Sequence, residues 1–161
     1  MKSVFWIGIF FFFSIAANQA QEAVEGTEEK EEAAKYEIVA SGIYAYNFEE
    51  EAGLPGAELH FTYWFTPKWG AGAIYVAKFD EEEVLSDIAL LGSWNPSRWL
   101  TINSGPNFGL KGESREFELS LFLEGELNIR PTERFLFGPN LGFLVGNSPE
   151  IAAGIHIGFE F

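Results

Sequence analysis

The chain has 161 residues and a formal net charge of −14 at pH 7, because 24 acidic residues outnumber 10 basic ones. Nucleic acids are bound by basic surfaces, so we expect no nucleic-acid partner. The chain has no cysteine, which excludes a disulfide framework, thiolate metal ligands and a lipidated cysteine anchor. Aromatic residues nevertheless make up 17% of it, which requires a large apolar surface.

Residues 1–20 have the pattern of a secretory signal peptide: one lysine, an apolar run at 4–15, and then small and polar residues. The run is shorter than the roughly 20 residues that a membrane-spanning helix needs, and no later run is long enough either. Residues 21–35 are mostly Glu, Ala and Lys. This composition predicts a disordered acidic leader.

From residue 36 to residue 161, apolar and polar residues alternate in short segments separated by Pro, Gly, Asn and charged clusters. This pattern is typical of half-buried strands. It is clearest in residues 116–129, where leucines occupy one face and glutamates the other. The eight segments are 36–47, 57–66, 69–79, 84–94, 99–110, 116–129, 134–145 and 150–161.

The connections alternate between two kinds. Tight turns at Pro67, Pro96 and Pro131 follow the second, fourth and sixth segments, and the other connections fall at the opposite end. Closing such a meander into a barrel removes its two edges. The predicted fold is therefore all-β, an eight-stranded antiparallel up-and-down barrel. Two matching Gly-Pro-Asn triplets, which begin at Gly105 and Gly138, predict a bulge or bend in their strands.

Two kinds of barrel fit this pattern. A soluble lipocalin-like carrier keeps its apolar face inward, whereas a transmembrane barrel turns that face toward lipid and keeps its polar face in the lumen. The tryptophans favour the transmembrane form, because they cluster beside the first two proline turns and an indole is stable at a membrane interface. The expected aromatic girdle consists of Trp64, Trp69, Trp94, Trp99 and Phe161.

The last segment, with alternating apolar residues and a terminal Phe161, resembles the C-terminal signature of Gram-negative outer-membrane β-barrels. The aromatic run at 60–72 is similar to small, largely uncharacterised outer-membrane barrels of the OmpA/OmpX-like size class. The resemblance implies the outer membrane of a Gram-negative bacterium, reached after signal-peptide cleavage, with both termini and the leader in the periplasm. It implies lipid and lipopolysaccharide as surroundings and the barrel assembly machinery as a partner in biogenesis. We expect a monomer.

The polar face should fill the lumen, since eight strands leave just enough room for side chains and an open pore is not expected. The expected lumen network is Glu58, His60, Lys78, Asp87, Glu116, Glu118, Glu124, Glu126, Arg130, Arg134, His156 and Glu160, with Asn107, Asn128 and Asn140. Acids outnumber bases, so any conducting path would favour cations. We expect both histidines to pair with glutamates; the alternative is a metal pair of His60 and His156 with Glu58 or Glu160. No cofactor is expected.

Catalysis is not expected either. The outer-membrane lipid A deacylases and palmitoyltransferases of this barrel size use a histidine with a serine, and such chemistry needs a hydroxyl that the histidine activates. Here His156 is followed by Ile157 and Gly158, and no serine neighbours His60 in the sequence.

We therefore expect a small outer-membrane barrel with a structural, envelope or small-solute role. The alternatives are a soluble carrier barrel and a surface-loop binding module for a divalent cation with lipopolysaccharide, or for a protein. The binding module depends on two acidic loops that should be neighbours and whose carboxylates suit Ca²⁺ or Mg²⁺. Their residues are Glu49, Glu50, Glu51, Asp80, Glu81, Glu82 and Glu83.

Overall fold

A computed structural model describes residues 36–81, 83–113 and 115–161. The expected signal peptide (1–20), the expected leader (21–35) and Glu82 of the second acidic loop lie outside these residues. Within them, no helix is long and apolar enough to cross a bilayer.

The described residues form one closed barrel in which each strand pairs antiparallel with the next and the last pairs with the first. The strands are β1 (Tyr36–Asn47), β2 (Ala52–Trp64), β3 (Trp69–Phe79), β4 (Val84–Ser97), β5 (Leu100–Gly109), β6 (Glu118–Leu127), β7 (Phe135–Val145) and β8 (Glu150–Glu160). At the closure, the Tyr36 N–H donates to the Phe161 carbonyl (3.1 Å) and the Phe161 N–H donates to the Tyr36 carbonyl (2.9 Å). The predicted all-β meander and its closure are confirmed.

The connections lie at two ends of the barrel. The end that holds the start of β1 and the end of β8 also holds the connections 65–68, 98–99 and 128–134, and we call it the terminal end. The connections 48–51, 80–83, 110–117 and 146–149 lie at the opposite end, which we call the loop end.

Strict alternation along the strands separates two faces of different chemistry. The outward face carries large apolar side chains, and the inward face carries most of the buried polar ones. The inward face also contains an apolar cluster, whose members are Ile43, Ala45, Ile74, Val76, Ala89, Leu91 and Phe122. Because side chains at i and i+2 share a face, this arrangement follows directly from the period-two sequence pattern.

The first connection is shorter than the sequence suggests. The strand β2 begins at Ala52 rather than at residue 57, and Pro55 lies inside it. Its preceding turn is closed by Asn47, whose Oδ1 accepts hydrogen bonds from the N–H groups of Glu49 (2.8 Å) and Glu50 (3.1 Å). The Gly-Leu-Pro-Gly sequence is typical of a loop, but pairing with β1 keeps this segment in the sheet.

A bulge or a bend was predicted at the two Gly-Pro-Asn triplets, and the bulge is not formed at either. Both strands keep one register on either side of the proline, and the irregularity of the β4–β5 ladder lies around Pro96 instead. A Cβ on Gly105 would lie 1.8 Å from the Leu90 carbonyl oxygen, and a Cβ on Gly138 would lie 1.8 Å from that of Leu127. The glycine before each proline thus permits a close backbone approach, and no extra residue is needed to absorb the distortion.

Candidate functional site

One imidazole and three carboxyl groups meet at the centre of the lumen. Glu58 and His60 point inward from β2, and Glu124 and Glu126 point inward from β6, which is four strands away on the opposite wall. His60 Nε2 lies 3.7 Å from Glu58 Oε2 and 3.7 Å from Glu124 Oε2, and Nδ1 lies 3.4 Å from Glu126 Oε1. We call these four residues the central cluster. It crosses the full diameter of the barrel.

Two amide side chains hold the carboxylates of the central cluster in place. Asn140 Nδ2, from β7, donates to Glu58 Oε2 at 3.1 Å and to Glu124 Oε1 at 2.8 Å. Asn103 Nδ2, from β5, donates to Glu124 Oε2 at 3.3 Å. These bonds tie the two walls together and fix the orientation of Glu124 from two sides.

A second network, nearer the loop end, is built around Lys78. Its Nζ donates to both oxygens of Glu150, at 2.7 and 2.9 Å, and lies 3.3 Å from Asp87 Oδ2. Arg115 reaches Asp87 as well, with Nη1 3.2 Å from Oδ1, and donates through Nη2 to the Ser86 carbonyl at 2.6 Å. Sequence reasoning missed Arg115, because it lies in the connection after β5 and reaches back over the lumen.

The second histidine belongs to a different network. His156 Nε2 lies 3.1 Å from Asn128 Oδ1, Asn128 Nδ2 donates to Thr101 Oγ1 (2.8 Å), and Thr101 Oγ1 donates to Asn95 Oδ1 (2.8 Å). The expectation that both histidines pair with glutamates is therefore wrong for His156. His156 is also absent from the one set of potential metal ligands among the described residues, which consists of Glu58, His60 and Glu124.

The expected lumen residues fall into three groups. The lumen buries Glu58, His60, Lys78, Asp87, Glu124, Glu126 and His156, and also Asn107, Asn128 and Asn140. Glu118, Arg130 and Glu160 are half-buried at the two mouths, where Arg130 Nη1 donates to Glu160 Oε1 (2.6 Å) and Glu118 Oε1 accepts from the Ser148 N–H (2.9 Å).

Glu116 and Arg134 are corrections, because both side chains are exposed rather than luminal. The strand β6 begins at Glu118 and β7 begins at Phe135. Both residues therefore lie in connections, where strand alternation no longer determines which way a side chain points.

Several buried polar residues were missed. They are Glu37, Ser41, Thr62, Ser93, Thr101 and Asn103. In β1 the inward face mixes Glu37 with valine, serine and isoleucine, while the outward face mixes aromatic residues with alanine and glycine. The two faces therefore differ too little in polarity for the sequence alone to assign them.

Trp64 is a correction to the expected girdle. It is only 5% exposed and points into the lumen. The alternation that turns Glu58 and His60 inward along β2 turns Trp64 inward too. The alternation along the strand therefore indicates the direction of the Trp64 side chain better than its position beside a turn does.

The other girdle residues do lie on the outer surface at the terminal end. Trp69 and Trp99 are 53% and 57% exposed, Phe161 is exposed, and the half-buried Trp94 stacks on Trp69 with ring centroids 5.9 Å apart. Tyr36 completes this aromatic band, with its ring 5.9 Å from that of Phe161.

The acidic loops do not form a cluster of ligands in the described part of the chain. Glu49, Glu50, Glu51, Asp80 and Glu81 are exposed, and Glu83 Oε2 accepts from the Glu113 N–H at 2.8 Å. Among residues 36–81, 83–113 and 115–161, the one set of three histidine or acidic residues with ligand atoms within 4.8 Å of one another is Glu58, His60 and Glu124. The surface cation site stays a prediction without geometric support.

The lumen has little free volume. One cavity lies in the loop-end half of the lumen. The centre of a water molecule can occupy about 20 Å³ of this cavity, which is enough for about one water. It is lined by Lys78, Asp87, Phe122 and Glu150, and its floor includes Glu58 of the central cluster. Buried side chains occupy the lumen around this cavity, as expected for an eight-stranded barrel.

A closed meander with an apolar outside and a polar inside defines the class: an eight-stranded antiparallel up-and-down transmembrane β-barrel. No family model and no curated protein matches the chain. Solved structures with this fold include the N-terminal barrel domain of Pseudomonas aeruginosa OprF, at 18% identity and TM-score 0.54, covering 78% of this chain and 97% of that one.

Two further barrels are similar. Ail, the attachment invasion locus protein of Yersinia pestis, matches at 12% identity and TM-score 0.52 over 78% of this chain and 96% of that one. OprG from Pseudomonas aeruginosa matches at 14% identity and TM-score 0.52 over 80% and 97%. The resemblance to small Gram-negative outer-membrane barrels that the sequence suggested is thus confirmed at the level of the fold.

Proposed function

We propose that this protein is a small outer-membrane barrel with a structural role in the envelope and a closed, non-conducting lumen. The observation that carries the proposal is the outward apolar face. Leu119, Ile155 and Ile157 are 60%, 68% and 55% exposed, although they lie within strands. Soluble monomers rarely expose a contiguous apolar patch of more than a few hundred Å². Lipid around the barrel removes the free-energy cost of exposing this face to water.

The filled lumen supports a structural role over a transport role. The central cluster joins opposite walls, and the apolar cluster around Phe122 closes the half nearer the loop end. A hydrated ion would have to displace both layers. The cation-leaning solute path therefore has less support than a rigid membrane scaffold.

The surroundings follow from the same surface. Its aromatic band at the terminal end suits the boundary between acyl chains and headgroups, and we propose lipid and lipopolysaccharide as its neighbours. We propose further that residues 1–20 are a cleaved signal peptide and residues 21–35 a periplasmic leader. Assembly by the barrel assembly machinery into a monomer belongs to the same proposal.

Other functions fit less well. A lipocalin-like carrier needs an apolar interior, whereas Glu58, His60 and Lys78 lie inside this barrel. Ail has been solved with the heparin analogue sucrose octasulfate, but the exposed acids at this protein's loop end would repel such a polyanion. We propose no catalysis: within the described residues, Ser41 pairs with His156 in register, but its hydroxyl makes no hydrogen bond with that imidazole.

Two measurements test the proposal. Membrane fractionation, with a gel comparison of unheated and heated samples, should recover a heat-modifiable protein in the outer membrane. A protein in the soluble fraction would overturn the location. Planar bilayers containing the refolded barrel should then show no discrete openings, with a wide porin inserted in parallel to prove that the assay detects channels. Reproducible unitary openings would overturn the structural role.

A further inference from the structure

We propose that the central cluster is a binding site for one divalent transition-metal cation, with Glu58, His60 and Glu124 as its ligands. These three residues form the set of potential ligands already noted, with donor atoms within 4.8 Å of one another. All three are buried, with exposures of 5%, 2% and 1%. An imidazole with two carboxylates is a donor set that zinc and its first-row neighbours accept.

The distances in the cluster suit a coordination shell better than a set of hydrogen bonds. Both contacts of His60 Nε2, with Glu58 and with Glu124, are 3.7 Å long, beyond the range of a hydrogen bond. Two ligands about 2.1 Å from a tetrahedral zinc are about 3.4 Å apart. The two contacts of His60 Nε2 are thus within a few tenths of an ångström of that separation, and the two carboxylate oxygens lie within 4.8 Å of each other.

A second observation also points to a ligand. Among the residues that the structure describes, none makes a hydrogen bond with His60 Nε2, which is fully buried and directed between the two carboxylates. A buried polar nitrogen without a partner costs free energy. A bound cation would use this lone pair, with the imidazole proton on Nδ1.

The residues around the cluster are arranged to support that proton position. Glu126 Oε1, a buried acceptor without a hydrogen-bond partner among the described residues, lies 3.4 Å from His60 Nδ1. A histidine that binds metal through one nitrogen commonly donates its other N–H to a carboxylate. Asn140 and Asn103 meanwhile donate to the carboxylates of Glu58 and Glu124 and orient them.

The charge balance favours a divalent cation. Three carboxyl groups surround one imidazole, and the ion pairs that the described residues make with those carboxyl groups all involve His60. If all three carboxyl groups are ionised, an imidazolium ion leaves two buried negative charges without compensation, which is costly in a dry interior. Glu58 also lines the cavity in the loop-end half of the lumen, so free space adjoins the site.

The test is zinc titration of the refolded, metal-free barrel by calorimetry, with Co²⁺ absorption as a second readout of the ligand shell. Wild type should bind one Zn²⁺. His60→Asn and Glu124→Gln should abolish that binding, and Glu126→Gln should weaken it about 10- to 100-fold. The matched control is His156→Asn, which removes the other buried imidazole and should leave binding unchanged.

One further variant and two further measurements keep the result interpretable. A variant with Glu49, Glu50, Asp80 and Glu81 all changed to amides should retain the site, so loss of binding there would assign the ion to the surface loops and overturn the proposal. Heat modifiability of each variant checks that it still folds. If a lumen variant does not fold, the X-ray absorption spectrum of zinc-loaded wild type decides: a shell with one imidazole supports the site, and a shell of oxygen alone overturns it. Absence of stoichiometric binding by wild type also overturns it, without bearing on the outer-membrane location.

Discussion

Replacing Leu90 with arginine tests whether the outward apolar face meets lipid, at the depth where a charged side chain costs most. Leu90 lies near the middle of β4, between Val84 and Ser97, and is 53% exposed. An arginine on the lipid face of a membrane barrel costs about 2–4 kcal/mol at the bilayer midplane and about 0–1 kcal/mol near the interface. Val145 is the matched control, because it is 58% exposed but lies at the end of β7.

Leu90→Arg should thus lower the free energy of unfolding by about 2–4 kcal/mol, which is roughly a 30- to 700-fold increase in the unfolding equilibrium constant. Val145→Arg should cost less than about 1 kcal/mol. Both free energies can be measured by denaturant unfolding of the barrel in lipid vesicles, followed by tryptophan fluorescence. On a soluble barrel, both arginines would sit in water and both changes would stay within about 0.5 kcal/mol. Equal and small effects at the two depths would refute the reasoning.

Three further predictions concern the lumen and the ladders, and the same unfolding assay checks each. Phe122→Ala should cost about 3–5 kcal/mol, because the side chain is buried and borders the existing cavity; a cost below 1 kcal/mol would contradict tight packing. Lys78→Met should cost about 3 kcal/mol, because it leaves Glu150 without its cation and Asp87 with Arg115 alone, whereas Lys111→Met, in an exposed pair, should have no measurable effect. Gly138→Ala should cost about 1–3 kcal/mol through its clash with a neighbouring carbonyl, and Gly125→Ala, which meets nothing within 4 Å, should not destabilise.

The sequence predicted those strands best whose two faces differ most in polarity. In β6, leucines alternate with glutamates, and both Glu124 and Glu126 were assigned to the lumen, where they lie. In β1 the two faces are chemically similar, and Glu37 was missed. Trp64 shows a different failure, since its closeness to a turn was weighed above the parity that it shares with His60.

The central cluster could not be assembled from the sequence. Strand order places β2 opposite β6 once the barrel closes, but the relative level of the two strands depends on the stagger of every intervening pair. Glu58 and Glu124 meet because the combined stagger of those strand pairs places them at the same height along the barrel axis. Arg115 was missed for a related reason, since a connection has no periodicity from which to infer that it reaches Asp87.

Spin-label accessibility along β6 tests most directly whether the apolar face meets lipid. The chain has no cysteine, so single substitutions at Leu119, Ser120, Leu121, Phe122 and Leu123 can each carry one label. In lipid vesicles, labels at the three outward leucine positions should collide with oxygen and be shielded from a water-soluble nickel complex. Labels at the two inward positions should be shielded from both oxygen and the nickel complex. Free access of the nickel complex to all three outward positions would contradict the account, because it would place that face in water.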